Sequence, residues 1–359
     1  MLPVGKDLSA KMANTSFVCA VLVVSMHVGK PLPVGTFPWY FIEFLHEIVG
    51  RMAVPFFFMA SGFFLAGHME EPGWYPREMK KRLGTLLIPY VLWSLLFAVY
   101  LVPVAVFANM HAHRAWNWNL GFSGWVKTLG LDFLHNPLLP PLWFLRWLMC
   151  LCVASPLLYW LVRKTGKWGL VAVYVFAVLK SAGVPGFQPV SWWCPWKWVL
   201  HPYGVFYFLL GISWRMGVFK EVPNWAKLLS VWVGMAYFVA KLVSYGAVGL
   251  GCADLASEFG RFYTRRIECL NPCLLALVWR LMPCGKWPSW LTGASFALYV
   301  AHPFFTHLLD SVRLFSRLGL EPGGMCMLRY AFALTGCMVC FIVIKNHFPR
   351  VAKLLFGGR

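Results

Sequence analysis

A histidine, His27, lies at the far end of the first long apolar stretch of the chain, Asn14 to Gly29. An imidazole titrates near neutral pH and is costly in hydrocarbon unless it meets water or a partner, so a histidine there indicates a functional site. A neutral imidazole can accept the proton of a hydroxyl group that attacks a substrate, which is general-base catalysis. A structural interpretation stays open as well, in which His27 only hydrogen-bonds water or lipid headgroups.

Ionisable residues also interrupt the next apolar stretch, Tyr40 to Gly67, and they are Glu43, His46, Glu47 and Arg51. On an α-helix Glu43 and Glu47 are four residues apart, as are Glu47 and Arg51, so the three side chains share one face. Lipid is an expensive environment for such a face, which predicts that it points to the protein interior or to a wet cavity. Either Glu47 and Arg51 simply neutralise each other, or Arg51 stands beside His27 in a site.

A second candidate histidine, His302, precedes Pro303 in the stretch Thr292 to Leu309. Proline frees a backbone carbonyl one turn earlier, and a neighbouring polar side chain often satisfies that carbonyl. His302 therefore has either this structural role or a chemical one, and the sequence favours neither.

Familiar metal, cofactor and nucleophile patterns are absent from the sequence. His46 and Glu47 lack the second histidine that a helical zinc site needs, and there is neither a phosphate-binding glycine loop nor a Gly-x-Ser-x-Gly turn. A haem between helices needs several histidines at matched depth, whereas His27, His46 and His302 occur once per stretch. We expect no metal and no permanently bound cofactor.

The composition is that of an integral membrane protein. Hydrophobic residues make up 60% and charged residues only 13% of the chain, whereas soluble domains carry roughly a quarter charged residues. The net charge of +19 is dispersed between apolar segments, so no basic face for nucleic acid is predicted. Membrane lipids are the expected surroundings.

Ten apolar stretches approach the roughly 20 residues that a helix needs to cross a bilayer. They are Asn14 to Gly29, Tyr40 to Gly67, Gly84 to Phe107, Leu142 to Val162, Trp168 to Val184, Val199 to Phe219, Ala226 to Val248, Leu270 to Met282, Thr292 to Leu309 and Met325 to Ile344. Lys and Arg gather in short alternate connections, which are cytoplasmic by the positive-inside rule. We predict an all-α integral membrane protein, a bundle of about ten transmembrane helices with both termini cytoplasmic, forming a single domain over residues 1–359.

The connections predicted to lie outside are longer and rich in aromatic residues. Trp116, Trp118, Trp192 and Trp193 are among them. These indoles either anchor the chain at the membrane interface or stack on a ligand ring. Cys194, Cys252 and Cys269 lie in the same connections and are candidates for disulfide pairing, which spacing alone does not decide.

Five stretches, taken together and in order, resemble the acyltransferase 3 family of multi-pass membrane acyltransferases. They are FVCAVLVVSMHVG at Phe17 to Gly29, AVPFFFMASGFFLAG at Ala53 to Gly67, KKRLGTLLIPYVLWS at Lys80 to Ser94, PLWFLRWL at Pro141 to Leu148, and SFALYVAHPFF at Ser295 to Phe305. The resemblance implies a ten-helix fold in the bacterial inner membrane. It also implies transfer of an acyl group, often acetyl, from cytoplasmic acyl-CoA to a hydroxyl of a carbohydrate.

The same resemblance implies site residues. His27 matches the family's catalytic histidine, while the Arg or Lys usually found eleven residues earlier is Ser16 here. Arg51, Lys11 or another cation then substitutes, or the chemistry is weakened. Four basic residues match a family cluster of arginines, and four more residues fall in matching motifs with less defined roles. The first set is Arg77, Lys80, Lys81 and Arg82, and the second is Trp143, Arg146, Tyr299 and His302.

A consistent mechanism follows from these residues. His27 takes the proton of a sugar hydroxyl as it attacks the thioester, and Arg51, with Glu47 beside it, stabilises the oxyanion. The four basic residues bind the phosphates of CoA, or they form no more than a positive flank. An alternative function is a non-catalytic transporter or binding protein on the same fold, which Ser16 favours.

Overall fold

The computed structural model describes residues 4–28, 32–111, 139–181, 202–252, 267–311 and 320–358. Across these residues the protein is helical, and none of them lies in a β-strand. Trp116, Trp118, Trp192, Trp193 and Cys194 lie outside the described residues.

Fifteen α-helices follow one another along the described residues. They are α1 (Lys6–Ser25), α2 (Phe37–Glu43), α3 (Ala53–Ala66), α4 (Trp74–Arg82), α5 (Ile88–His111), α6 (Trp143–Val153), α7 (Ser155–Thr165), α8 (Lys167–Ser181), α9 (Pro202–Arg215), α10 (Asn224–Gly249), α11 (Asn271–Leu281), α12 (Ser289–Thr292), α13 (Ser295–Ser311), α14 (Pro322–His347) and α15 (Pro349–Phe356). Each of the ten predicted stretches overlaps at least one of these helices.

Five helical segments of the described part are long and apolar enough to cross a membrane. They are Lys6–Ser25, Phe37–Ala66, Trp74–Tyr100, Asn224–Gly249 and Pro322–His347, and α6 with α7 adds a sixth if that bent pair is one span. The protein is thus a helical membrane protein, as the composition predicted. The count of ten spans and the cytoplasmic position of both termini stay predictions.

The second span is not the regular α-helix that the sequence pattern predicted. A π-helical turn, Phe44–Val49, and a 3-10 turn, Gly50–Met52, separate α2 from α3. A Cβ atom at Gly50 would lie 2.4 Å from the Leu45 carbonyl oxygen, so the wide turn needs a glycine there. The buried Lys241 of α10 donates to the Glu47 carbonyl within this turn. Such π-turns are frequent at functional sites.

The predicted fourth span, Leu142 to Val162, is bent rather than straight. Helices α6 and α7 meet at an angle of 62° on either side of Ala154. Pro156 has no N–H group for the Cys152 carbonyl one turn earlier, and Ser155 Oγ donates to that carbonyl at 2.6 Å instead. The bend therefore has a local cause in the Ser-Pro pair.

Close helix packing fixes the centre of the bundle. Helices α3 and α9 run against each other through Gly62 and Gly211, where an added Cβ atom would lie 2.2 Å and 1.9 Å from backbone carbonyl oxygens. Helix α1 packs against both α3 and α13, and Tyr330 of α14 donates to the Val21 carbonyl of α1 at 3.3 Å. These contacts set the ends of α1 and α13 relative to α3.

Candidate functional site

A cavity of about 450 Å³ lies between α1, α3, α4, α6 and α13. Aromatic rings form much of its wall, namely Phe57, Phe64, Phe144, Phe296 and Tyr299. Four serines, Ser9, Ser16, Ser61 and Ser295, add hydroxyl groups. Lys81, Arg82 and His68 supply the basic groups of the lining, and we call this part of the cavity the basic end.

A buried carboxylate holds the cations of the basic end. The Glu78 side chain is only 4% exposed, and its oxygens lie 3.3 Å from the Arg82 guanidinium and 3.6 Å from the Lys81 ammonium. The three residues share one face of α4, at spacings of three and four. Sequence reasoning missed Glu78, although its position four residues before Arg82 was the available signal.

Only two of the four predicted phosphate-binding residues line the cavity. Lys81 and Arg82 do, whereas Arg77 pairs with Glu71 at an exposed position and Lys80 is exposed. The hydrogen bond with the His68 ring, followed by the charge of Arg77, lowers the pKa of Glu71 below its ordinary value. Arg77 and Lys80 therefore belong to the solvated flank beside the cavity.

His27 and His302 come together at the end of α1. Their ring centroids are 5.0 Å apart at an interplanar angle of 35°. His302 is fully buried, and its Nδ1 atom lies 2.9 Å from the Leu298 carbonyl oxygen, whereas His27 is exposed. Tyr299 of the cavity wall precedes His302 by three residues, an axial rise of about 4.5 Å. His302, with His27 against it, thus lies about one helical turn beyond Tyr299 along α13.

Ser16, at the position where the family resemblance implies a cation, lies in the cavity wall. Its hydroxyl donates to the Met12 carbonyl at 2.8 Å. The Lys11 ammonium lies over the Trp279 ring at 4.9 Å, and Lys11 is not part of the described lining. The charges that do line the cavity come from α4.

Glu47 and Arg51 form the predicted ion pair. Arg51 Nε and a terminal nitrogen lie 2.9 Å and 2.8 Å from one Glu47 carboxylate oxygen, and His46 Nε2 lies 3.5 Å from the other. Glu43 is buried nearby on α2. The placement of Arg51 beside His27 stays a prediction, since the contacts seen here join Arg51 to Glu47.

The remaining candidates lie on or near α6. Tyr299 donates its hydroxyl to the Pro141 carbonyl and packs edge-on against Phe144, with ring centroids 5.6 Å apart. Trp143 packs on Trp147 with centroids 5.2 Å apart. Arg146 is an electrostatic neighbour of Tyr90 and Cys150. Of these candidates only Tyr299 lines the cavity.

Within the described residues, no group of three or more His, Cys, Asp or Glu side chains is arranged to hold a metal ion. Cys252 and Cys269 carry free thiols.

Comparison with known proteins decides the family. The family model described as an acyltransferase domain matches residues 17–345, which is most of the chain. The chain belongs to the acyltransferase 3 family. A curated relative is the succinoglycan biosynthesis protein ExoH of Rhizobium meliloti (strain 1021), 28% identical over 145 residues. That match covers 40% of this chain and 39% of the relative. No solved structure matches the acyltransferase chain.

Proposed function

We propose that this acyltransferase moves an acyl group, acetyl in the first instance, from cytoplasmic acyl-CoA to a hydroxyl of a carbohydrate or cell-envelope glycan. The proposal places it in the bacterial inner membrane. One observation carries the proposal, namely a cavity with cations at its basic end and the His27–His302 pair one helical turn beyond Tyr299 in its wall.

The chemistry of the cavity suits a CoA thioester. Arg82 and Lys81 offer charge-assisted hydrogen bonds to phosphate groups, which are the strongest kind available to a side chain. The aromatic wall suits the less polar arm and the acyl group of the donor. A volume of about 450 Å³ lies within the roughly 300–1,000 Å³ that small-molecule sites occupy.

His27 is the proposed base. The acceptor hydroxyl gives its proton to the imidazole while its oxygen attacks the thioester carbon, and the thiolate of CoA leaves. Arg51 is the proposed oxyanion partner in the transition state, and Glu47 holds its guanidinium through the observed ion pair. This mechanism needs no metal.

A carbohydrate acceptor has separate support. The partial relative ExoH is named for the biosynthesis of succinoglycan, and the family match assigns an acyltransferase domain. The proposal extends that acceptor class to this chain.

The direct test is transfer of radiolabelled acetyl groups from acetyl-CoA to soluble oligosaccharides by the purified protein in lipid vesicles. Replacing a general base should lower kcat by about 10²–10⁴-fold, so we expect that loss for His27→Ala. His347→Ala, at an exposed site on α14, is the control and should keep wild-type activity. Equal activity of His27→Ala and wild type would remove His27 from the mechanism.

A transporter or binding protein is the second candidate. It is favoured by Ser16, which places a hydroxyl in the cavity wall at the position where the family resemblance leads one to expect a cation. Uptake of a labelled sugar into vesicles that does not depend on CoA, without any acetyl transfer, would favour this candidate over the enzyme.

A further inference from the structure

His302 has one ring nitrogen engaged and one buried without a partner. A backbone carbonyl only accepts hydrogen bonds, so the Nδ1 atom next to the Leu298 oxygen carries the proton. In a neutral ring the other nitrogen, Nε2, then has a lone pair. No described residue donates to Nε2, and the side chain is fully buried. Buried polar atoms are nearly always hydrogen-bonded, so this lone pair needs an explanation.

The neighbouring ring supplies that explanation. His27 packs on His302 at a centroid distance of 5.0 Å, and a neutral His27 carries one N–H group. Two imidazole rings joined by one N–H···N hydrogen bond have centroids roughly 5 Å apart, and His27 is exposed, so its ring has room to turn. His302 keeps its own orientation because the Leu298 carbonyl holds it.

We propose that His302 is a positioning residue for His27, accepting a hydrogen bond at Nε2 from one ring nitrogen of His27 so that the other nitrogen faces the acceptor hydroxyl. The inference rests on the proposed function, because it assigns a role within that reaction. It also assigns a separate role to each ring nitrogen of His27, which the family match alone does not do.

The proton movements balance through this pair. As the acceptor oxygen forms a bond to the thioester carbon, its proton passes to the free nitrogen of His27, which becomes an imidazolium. The N–H group on the other side then donates more strongly to His302 Nε2. When the carbon–sulfur bond breaks, the electron pair leaves on sulfur and the proton passes from His27 to form CoA thiol. His302 holds its Nδ1 proton throughout.

A purely structural role uses the opposite nitrogen. Pro303 has no N–H group, so the Tyr299 carbonyl loses its helical partner, and the His302 ring has the Leu298 and Tyr299 carbonyls as backbone partners. A side chain present only to satisfy these carbonyls needs the Nδ1 proton and not the Nε2 lone pair. The two roles therefore make opposite demands on a replacement residue.

Two variants separate these demands. His302→Asn keeps an amide N–H near the Nδ1 position and deletes the acceptor at Nε2. His302→Gln places an amide oxygen near the Nε2 position and gives up the short bond to Leu298. Unfolding temperature and size-exclusion profile establish that both variants are folded.

In the acetyl transfer assay we expect His302→Asn to lower kcat on the order of 10²-fold, since orienting the base is part of what a general base contributes. The KM for acetyl-CoA should change less than about twofold, because His302 is not among the residues that line the cavity proposed to bind the donor. The kcat of His302→Gln should be at least about tenfold higher than that of His302→Asn. A purely structural role predicts the opposite result, a higher kcat for His302→Asn than for His302→Gln, and that result would overturn the proposal.

A second readout needs no acyl donor. Diethyl pyrocarbonate modifies neutral histidine, and mass spectrometry gives the rate at His27 in each variant. We expect modification of His27 to slow in His302→Asn and to stay near the wild-type rate in His302→Gln. Equal rates in both variants would refute the pair. If the wild-type protein transfers no acyl group, the proposed function is wrong, and so is the catalytic role of His302. The modification rates of His27 still show in that case whether the two rings interact.

Discussion

Arg82 offers the sharpest test of the basic end, because its cost can be divided between ligand binding and stability. Its side chain is 16% exposed, lines the cavity, and pairs with Glu78, which is 4% exposed. Arg82→Gln removes the guanidinium that is proposed to bind phosphate. It also leaves the buried carboxylate with Lys81, 3.6 Å away, as its described ion-pair partner.

The two effects have different magnitudes. A hydrogen bond to a charged group contributes about 1.5–3 kcal/mol, which corresponds to about a 10- to 100-fold loss in affinity for CoA. Leaving one member of a buried ion pair alone costs up to about 3–5 kcal/mol of stability, and Lys81 reduces that cost. The double variant Glu78→Gln, Arg82→Gln carries no unpaired carboxylate, so it should regain stability while CoA affinity stays low.

Calorimetric titration with CoA measures the affinity without requiring turnover, and thermal unfolding in detergent measures the stability. Arg77→Gln is the matched control, since Arg77 is 54% exposed and pairs with the exposed Glu71 outside the cavity. Exposed ion pairs contribute roughly 0–1 kcal/mol, so the control should keep nearly wild-type stability. Because Arg77 does not line the cavity, its variant should bind CoA within about twofold of wild type. If Arg82→Gln bound CoA as well as Arg77→Gln does, the basic end would not be a phosphate site.

Two further predictions concern the packing that holds the cavity. Gly211→Ala should lower the free energy of unfolding by about 1–3 kcal/mol, because the added Cβ atom would lie 1.9 Å from a backbone carbonyl oxygen of α3. A Cβ atom added at Gly246 would have nothing within 4 Å, so Gly246→Ala should raise the free energy of unfolding by roughly 0.5–1 kcal/mol. Equal changes in unfolding temperature for the two glycine variants would contradict the close α3–α9 contact. Ser155→Ala should cost about 1–3 kcal/mol by orphaning the buried Cys152 carbonyl. Ser230 makes the same kind of bond at a more exposed position, its hydroxyl donating to the Lys227 carbonyl at 2.7 Å, so Ser230→Ala should cost less. An equal loss of stability for both variants in denaturant titration would show that the Ser155 bond does not stabilise the bend.

Local spacing was sufficient to predict part of the site. The Glu47–Arg51 pair follows from two opposite charges four residues apart, and it forms even though a π-turn begins at Phe44. Pro303 leaves the Tyr299 carbonyl without its helical partner, as the sequence predicted, although the observed 2.9 Å contact of His302 Nδ1 is with the preceding Leu298 carbonyl. Helical spans follow from long apolar stretches. Each of these predictions depends on neighbours within one or two turns.

What the sequence did not predict depends on contacts between distant segments. His27 and His302 are separated by 275 positions, and only the packing of α1 on α13 brings their rings to 5.0 Å. The π-turn depends on space at Gly50, beside the Leu45 carbonyl. Neither feature leaves a periodic trace in the sequence.

The positive charge of the cavity lies on α4 and not at Ser16 of α1. Lys81 and Arg82 on α4 supply the Lys and Arg charges of the described lining, while Ser16 is a neutral part of the α1 wall. From Ser16 to His27 the chain advances eleven residues, an axial distance of about 16 Å. A donor held at its phosphates by α4 must therefore span an uncharged wall before its thioester reaches the histidine pair. Its affinity should then depend on salt through Arg82 and Lys81, while turnover depends on how His27 is oriented at the far end.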